Sequence, residues 1–286
     1  MARNPRLVQL FIRSRLVLVR AYFWYLYFWY FRSDVRTLRR QLTKGKSANS
    51  TCFIFSTKNR PDFTKQSLTS IEKSKDFDLI WLDASTQDEA LSLFKDYQPR
   101  NFNIVGRLPQ VTGGPDVAIL LGLHTALRGS YSHIGLIEND VVFSGDWLPT
   151  LKELFNIDVS EVKATEVGGA SLRNYEARNL IIKNKFSYAW NLGAGMILFS
   201  RAGLKKVLSG YGFASSQELL DFYQKHFGVD LSKQVDPLFP EAFKINHYVG
   251  GDVKFCYNLW KNDLACVASI PSLAHNIDVH TPELYL

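Results

Sequence analysis

The sequence is short of the residues that would tie it together covalently: it has three cysteines and two methionines in 286 residues. Three thiols give no even disulfide framework. Cys52 sits inside an apolar run where a thiol serves as a small hydrophobe, so Cys52, Cys256 and Cys266 read as core thiols of a reducing compartment. A glycine-rich, basic phosphate loop is also missing after the first strand signal, because Ser56 to Asp62 contains no glycine. There is no internal repeat. Acid is scarce at the N-terminus, where residues 1–46 hold nine Arg and two Lys against the single Asp34. That is +10 of a net charge of +7, which leaves about −3 for the rest of the chain. The basicity therefore belongs to an arm. Nucleic-acid binding, which needs basic residues spread over a folded face with aromatics placed for stacking, is not expected.

What the arm does have is RLVLVRAYFWYLYFWYFR, residues 15–32. Between Arg20 and Arg32 lie 11 uncharged residues, well short of the roughly 20 that a helix needs to cross a bilayer. Tyr22, Trp24, Tyr25, Tyr27, Trp29 and Tyr30 are of the types that settle at the membrane–water boundary. Arg6, Arg13 and Arg20 recur every seven residues and form one cationic stripe on a helix. The expected partner is a membrane surface, met through residues 5–32 by an in-plane amphipathic and aromatic helical arm; the bland alternative is a helix of the main domain or one packed on a partner subunit. A signal peptide fits poorly, since no small-residue cleavage site follows. The polar stretch LTKGKSANS separates the arm (1–46) from a domain expected over 47–286, so that a fragment lacking 1–46 is expected to fold. Asn49-Ser50-Thr51 is a formal glycosylation sequon, a pattern too common to move the assignment.

The domain opens as alternating strands and helices. TCFIFS (51–56) is apolar and β-branched, KNRPD breaks it, and FTKQSLTSIEKS carries Phe63, Leu68 and Ile71 at helical spacing. FDLIWLD predicts a second strand ending on Asp83, QDEALSLFKDY a helix, FNIVGRLP a third strand, VAILLGLHTALRG a helix and HIGLI a fourth strand. This alternation predicts an α/β fold with a mostly parallel sheet flanked by helices. Ligands of such sheets bind beyond the carboxyl ends of the strands. Asp83 and the triplet Glu138-Asn139-Asp140 lie at those ends.

Two carboxylates at i and i+2 after a buried strand can aim the same way. They repel unless a divalent cation joins them to a diphosphate, and hard oxygen ligands suit Mg²⁺ or Mn²⁺. A bare turn is the competing reading of the triplet. Gly113-Gly114-Pro115-Asp116 reads as a turn with Asp116 capping the helix, or as a place where backbone approaches a ligand closely.

In this order and spacing, FIFSTKNRPDF, WLDASTQDE and GLIENDVVFSGDWL resemble the first strand, second strand and D-x-D segment of the GT-A glycosyltransferases, in particular the family-2-like, sugar-nucleotide-dependent group. NLGAGMILFSRAGL (191–204) and GGDVKFCYNLWKNDLACVASIP resemble, more loosely, the acceptor-side strand and the segment where an acidic residue opens a helix. The resemblance implies a GT-A type, Rossmann-like domain with a nucleotide-sugar half (47–147) and an acceptor half (148–286). It puts Thr57, Asn59, Arg60 and Asn139 by the nucleotide and Asp83 on the uracil or ribose. It makes Asp140, assisted by Glu138 and His275, the holders of Mn²⁺ or Mg²⁺, with His247 and His280 as competitors of His275. Asp252 falls at the position of the general base, where the plain reading is a helix cap.

The implied activity is hexosyl transfer, inverting, from a nucleotide-sugar donor (a UDP-sugar foremost) to a hydroxyl of a glycan or lipid-linked acceptor at the cytoplasmic face of a membrane, by a peripheral or monotopic enzyme. Arg173, Tyr175, Tyr188 and Trp190 are available to the acceptor, although aromatics at this density are commonly core. The chain departs from the family pattern at Gly251, where an acidic residue is usual, and at Ala118 to Gly122, which lack the usual Arg and Asn; Glu138 also replaces the usual Asp. The departures at Gly251 and at Ile119-Leu120 keep a non-catalytic membrane-bound scaffold open; a nucleotidyltransferase on a similar sheet is the other alternative, and it would normally show the glycine-rich basic phosphate loop that Ser56 to Asp62 lacks.

Overall fold

The structure, a computed structural model, describes residues 32–44, 48–111, 115–193, 195–210, 216–231 and 251–277. Residues 5–31 of the expected membrane segment, Gly113, Gly114, His247 and His280 lie outside these residues, as does the side chain of Asp116.

Apolar runs bounded by breakers become strands β1 (Thr51–Thr57), β2 (Asp78–Asp83), β3 (Asn103–Leu108) and β4 (His133–Glu138), joined by helices α1 to α4, of which α1 is Arg32–Lys44, α2 Pro61–Ile71, α3 Asp88–Asp96 and α4 Pro115–Ala126. Pro61 opens α2, the one helical position where its missing N–H costs nothing. A short strand β5 (Val141–Phe143) and helix α5 (Trp147–Glu153) follow. The second half supplies β6 (Glu166–Ser171), β7 (Asn179–Ile182), β8 (Phe186–Ala189), β9 (Met196–Ser200), helices α6 (Arg201–Gly210), α7 (Ser216–Phe227) and α8 (Gly251–Trp260), and strands β10 (Leu264–Ser269) and β11 (Ala274–Asn276).

Nine strands form one sheet in the order β3-β2-β1-β4-β9-β6-β10-β8-β7, and β11 pairs β5 in a separate ribbon. Pairing is parallel from β3 through β4 and between β6 and β10, and antiparallel around β9 and β8. Seven of the nine strands therefore run the same way, with β9 and β8 reversed. This is the α/β, Rossmann-like, largely parallel sheet flanked by helices that the alternation of elements predicts. Sequence reading missed β6 to β8: β6 carries two adjacent glycines, which weaken a strand pattern, and β7 and β8 have four residues each.

The C-terminal part of the basic arm belongs to this unit. In α1, Val35 and Leu38 are buried in the main core, and a Cβ on Gly106 of β3 would come 3.2 Å from the Leu38 side chain. Gln41 behaves as a strand partner for the sheet edge: its Nε2 donates to the Arg107 carbonyl (3.2 Å) and its Oε1 accepts from the Arg107 N–H (2.8 Å). Edge strands left bare invite pairing with other chains, and α1 covers this one. The expected boundary at residue 46 thus falls on the far side of a helix that the core includes.

An aromatic cluster fixes the loop that follows β4. Trp147 is fully buried, stacks on Phe143 (4.3 Å), meets Phe53 and Phe77 edge-on, and donates from Nε1 to the Ile71 carbonyl (3.3 Å). Large aromatics in such clusters carry much of a core's stabilisation. Here they lock the segment after Asp140 against α2.

Candidate functional site

Parallel register brings the sequence-predicted residues to one end of the sheet. Thr57 pairs with Asp83, and Ser56 with Glu138. With neighbouring strands about 4.8 Å apart, the backbones of Asp83 and Glu138, two strands apart across β1, are about 10 Å from each other.

The Asp83 carboxylate is 1 % exposed and held from one side only. Its Oδ1 accepts from Thr57 Oγ1 (2.6 Å) and Ser85 Oγ (2.6 Å), and Trp81 Nε1 in turn donates to Thr57 Oγ1 (2.8 Å). Its Oδ2 is buried without any hydrogen-bond partner. The turn after β1 is held in the left-handed region at two consecutive residues, Asn59 (φ 53°) and Arg60 (φ 52°), a conformation that costs an L-residue free energy and collects at functional sites. Asn59 is kept there by the β2–α3 loop: its N–H donates to Ser85 Oγ (2.7 Å) and its Oδ1 accepts from the Thr86 N–H (3.0 Å). Thr57, Asn59 and Asp83 therefore form one hydrogen-bonded corner through Ser85, a member the sequence did not single out, and Arg60 adjoins it only as the next residue of the turn.

The Glu138-Asn139-Asp140 turn is tethered to α2. Asn139 Nδ2 donates to Thr64 Oγ1 (3.2 Å), Ser67 Oγ to the Val141 carbonyl (2.6 Å) and Lys73 Nζ to the Phe143 carbonyl (3.0 Å). The Ile277 N–H donates to the Asp140 carbonyl (2.6 Å), so β11 clamps the turn from the other side. Asp140 Oδ1 is buried and unpartnered. Burial raises the Asp140 pKa, a shift opposed by its own backbone N–H and by the charges of Arg173 and Arg60. A buried oxygen of a carboxylate with nothing to bind fits a cation ligand. Among the described residues, however, no three of His, Cys, Asp and Glu converge into a group that could hold a metal ion. The fit is that of a site completed by substrate oxygens.

His275 lies in β11 opposite Val142, with Asn276 opposite Val141. Alternation along a strand puts Asn276 and His275 on opposite faces of the ribbon. It is Asn276 whose Oδ1 accepts from Arg173 Nη1. Burial lowers the His275 pKa, and Arg173 adds to that.

Tyr175 lies within reach of the charges of both Glu138 and Asp252. The Arg173 and Arg178 guanidinium carbons lie 4.3 and 4.2 Å from its ring centroid, at stacking distance. Burial raises the Tyr175 pKa, the two arginines oppose this, and the charges of Asp252 and Glu138 reinforce it. With guanidinium groups engaging its π surface, Tyr175 does not offer a bare face for a sugar to stack on. Beyond it, Asp252 sits in the first turn of α8, its side chain 16 % exposed. Its Oδ2 accepts from Asn191 Nδ2 (3.0 Å) and pairs with Arg178 Nη1 (3.4 Å). Asn191 is set by the Gly193 N–H, which donates to Asn191 Oδ1 (3.0 Å). Gly193 has φ +77°, and a Cβ there would lie 2.6 Å from the Tyr175 ring, so both the turn and the space require glycine.

Tyr188 and Trp190 are core residues. Tyr188 is 2 % exposed with its hydroxyl on the Asp158 carbonyl (2.6 Å), and Trp190 packs edge-on against Tyr223. Cys52, Cys256 and Cys266 are free and buried. The amide nitrogen of Asn49, in the formal sequon, is committed to Asp78 Oδ1 (2.8 Å).

No protein-family model and no curated protein matches the chain. Among solved structures it is similar to S. aureus TarS residues 1–349 (15 % identity, TM-score 0.41, 62 % of this chain and 55 % of that one), a fragment also solved in complex with UDP. It is similar too to the mannosyltransferase PcManGT from Pyrobaculum calidifontis in complex with GDP-Man and Mn²⁺ (15 %, 0.42, 74 % and 63 %). A further likeness is to the glycosyltransferase GlyE of Streptococcus pneumoniae in its apo-form (13 %, 0.39, 76 % and 45 %). The chain spans less than two thirds of the length of each of these structures.

Proposed function

We propose that the chain transfers a sugar from a nucleotide-sugar donor, foremost a UDP-sugar, to a hydroxyl acceptor, with inversion. The observation that carries this reading is a pair of buried, unpartnered carboxylate oxygens, Asp83 Oδ2 and Asp140 Oδ1, at one end of one sheet. An unsatisfied buried acceptor costs about 1–3 kcal/mol, and more when charged. Two of them at the same end of one sheet, each with its neighbours locked, fit a ligand with a donor group at one end and a cation at the other. A nucleoside diphosphate with its metal has that form.

In this reading Asp83 Oδ2 accepts from the base or ribose, and the strained Asn59-Arg60 turn lies alongside the nucleotide, with Asn139 bracing the neighbouring loop. Asp140, assisted by Glu138, would hold Mn²⁺ or Mg²⁺ together with oxygens of the substrate. The cation supplies Lewis-acid stabilisation of the leaving diphosphate worth several kcal/mol. His275, on the face of the β5–β11 ribbon opposite Asn276, is assigned a supporting role toward the cation. Asp252 takes the proton of the acceptor hydroxyl, a contribution of about 10²- to 10⁴-fold in rate, and Asn191 and Arg178 aim it. A single base on a single face gives one displacement, hence inversion.

The acceptor is proposed to be a glycan or a lipid-linked saccharide, reached at a membrane surface. Supporting this is the placement of α1, whose outward residues Arg36 and Arg40 are exposed and continue the basic, aromatic arm. No helix among the described residues is long and apolar enough to cross a membrane.

Calorimetric titration of UDP and GDP into the full chain and its Asp140→Asn variant, with and without Mn²⁺, tests the reading. Metal-dependent binding of one nucleotide, lost in the variant, is the expected result. Failure of both nucleotides to bind a folded chain under any metal condition overturns it and returns the non-catalytic scaffold.

A further inference from the structure

Building on the sugar-nucleotide reading, we propose that Arg173 is a second cationic contact for the donor's diphosphate, one that reaches the leaving group directly and not through the metal.

Three independent constraints bring its guanidinium to that place. Its Nη1 donates to Asn276 Oδ1, and Asn276 is the cross-strand partner of Val141, the residue after Asp140. A Cβ on Gly195 would lie 3.3 Å from Arg173 Nη1 and 3.1 Å from Val141 Cγ2, so the guanidinium and the start of β5 flank the same gap. On its other side the group is stacked on Tyr175 at 4.3 Å, which fixes its plane. Asp140 feels the charges of both Arg173 and Arg60. A guanidinium has five N–H donors. One is used on Asn276, and the structure gives the others no acceptor among the described residues. A planar fork of donors, already oriented by stacking, matches two phosphate oxygens better than a point charge does.

The chemistry needs such a group. As the bond between the anomeric carbon and the diphosphate oxygen breaks, its electron pair stays on that oxygen. The new bond forms to the acceptor oxygen, and the acceptor proton moves to Asp252. Charge on the diphosphate therefore grows, while the protein offers the cation no cluster of three His, Cys, Asp or Glu ligands among the described residues. A preorganised guanidinium facing the same oxygens meets the remaining charge without reorganising. It also explains why a loop of the acceptor half, after β6, reaches across to the β4–β5 turn of the donor half.

The test uses the full chain and two probes: the nucleoside diphosphate that binds, and its parent nucleoside, each titrated with and without Mn²⁺. Arg173→Gln is expected to weaken the diphosphate about tenfold or more, the scale of a lost charge-assisted pair, both with and without the metal, and to leave the nucleoside unchanged. Arg173→Lys, which keeps the charge but not the fork, is expected to fall between. Asn276→Ala, which retains the arginine and frees its anchor, is expected to weaken the diphosphate less than Arg173→Gln does. Equal loss of nucleoside and diphosphate, or diphosphate binding in Arg173→Gln like that of the unaltered chain, overturns the proposal. Failure of the unaltered chain to bind the diphosphate at all overturns the underlying reading instead.

Discussion

Asn191 and Asp252, 61 residues apart in sequence, meet with Nδ2 3.0 Å from Oδ2, and Asn191 is itself pinned by the Gly193 N–H. Arg178 Nη1 contacts the same oxygen (3.4 Å), so Oδ1, which accepts no hydrogen bond among the described residues, is the oxygen left for the acceptor proton. Asp252→Asn is expected to reduce turnover by about 10²- to 10⁴-fold with nucleoside diphosphate affinity unchanged. Asn191→Ala, which frees the carboxylate to rotate, is expected to lower kcat by a smaller factor and to leave donor KM in place. A fall in nucleotide affinity in either variant shows that this network supports the donor site and not the proton transfer.

Asp140 carries the opposite signature, a residue kept at a cost to stability. Its buried, unpartnered oxygen is expected to destabilise the free protein, so neutralising it removes a penalty of about 1–3 kcal/mol. Asp140→Asn should melt at a higher temperature than the unaltered chain in metal-free buffer and lose metal-dependent nucleotide binding. A lower Tm in that variant shows that the carboxylate is a structural acceptor.

How far these features can be read without coordinates follows from their range. β1, β2 and β4 announce themselves because each apolar run is bounded by breakers and ends on a polar residue, and the placement of Asp83 and Glu138-Asn139-Asp140 at strand ends follows from the direction of the strands. Asn191, Arg178 and Asn276 carry no such signal. Each reaches its partner only because the reversed strand β9 and the β5–β11 ribbon bring distant loops together, and nothing local marks a polar residue for that. The docking of α1 had a visible cue in Val35, Leu38 and Leu42, spaced three and four apart, but the arginines between them and the aromatic segment before them drew the whole stretch toward a membrane reading.

Acid sensitivity follows from three histidines. His124, His133 and His275 all have pKa values lowered from 6.5, with burial the first cause in each. For a base whose folded pKa is depressed, the unfolded chain binds more protons just below 6.5, so the stability present above that value is lost as pH falls toward the folded value. His133, at the head of β4 and edge-on to Phe155 (4.6 Å), is the most tractable of the three, being far from the cleft at the opposite end of its strand. Urea denaturation from about pH 7.5 to about pH 5.5 is expected to show falling stability, and His133→Gln a shallower fall. Identical slopes assign the loss to other groups.

Where the chain is cut should decide whether it folds. A fragment starting at residue 32 keeps α1, with Val35 and Leu38 in the core and Gln41 on the Arg107 backbone. A fragment starting at residue 47 loses all three. Burial of two such side chains contributes about 1.5–3 kcal/mol each, and the uncovered β3 then exposes its backbone donors and acceptors as an open edge. The 47–286 fragment is therefore expected to unfold at lower urea than 32–286 and to aggregate on concentration, as light scattering will show, while both bind the same nucleotide when freshly folded. If the two fragments match in urea midpoint and stay monomeric, α1 is an adherent part of the arm and the basic segment is free to leave the domain as a whole. If they differ as expected, α1 belongs to the folded domain and the sheet edge at β3 needs it, so the domain begins at residue 32 and not at residue 47.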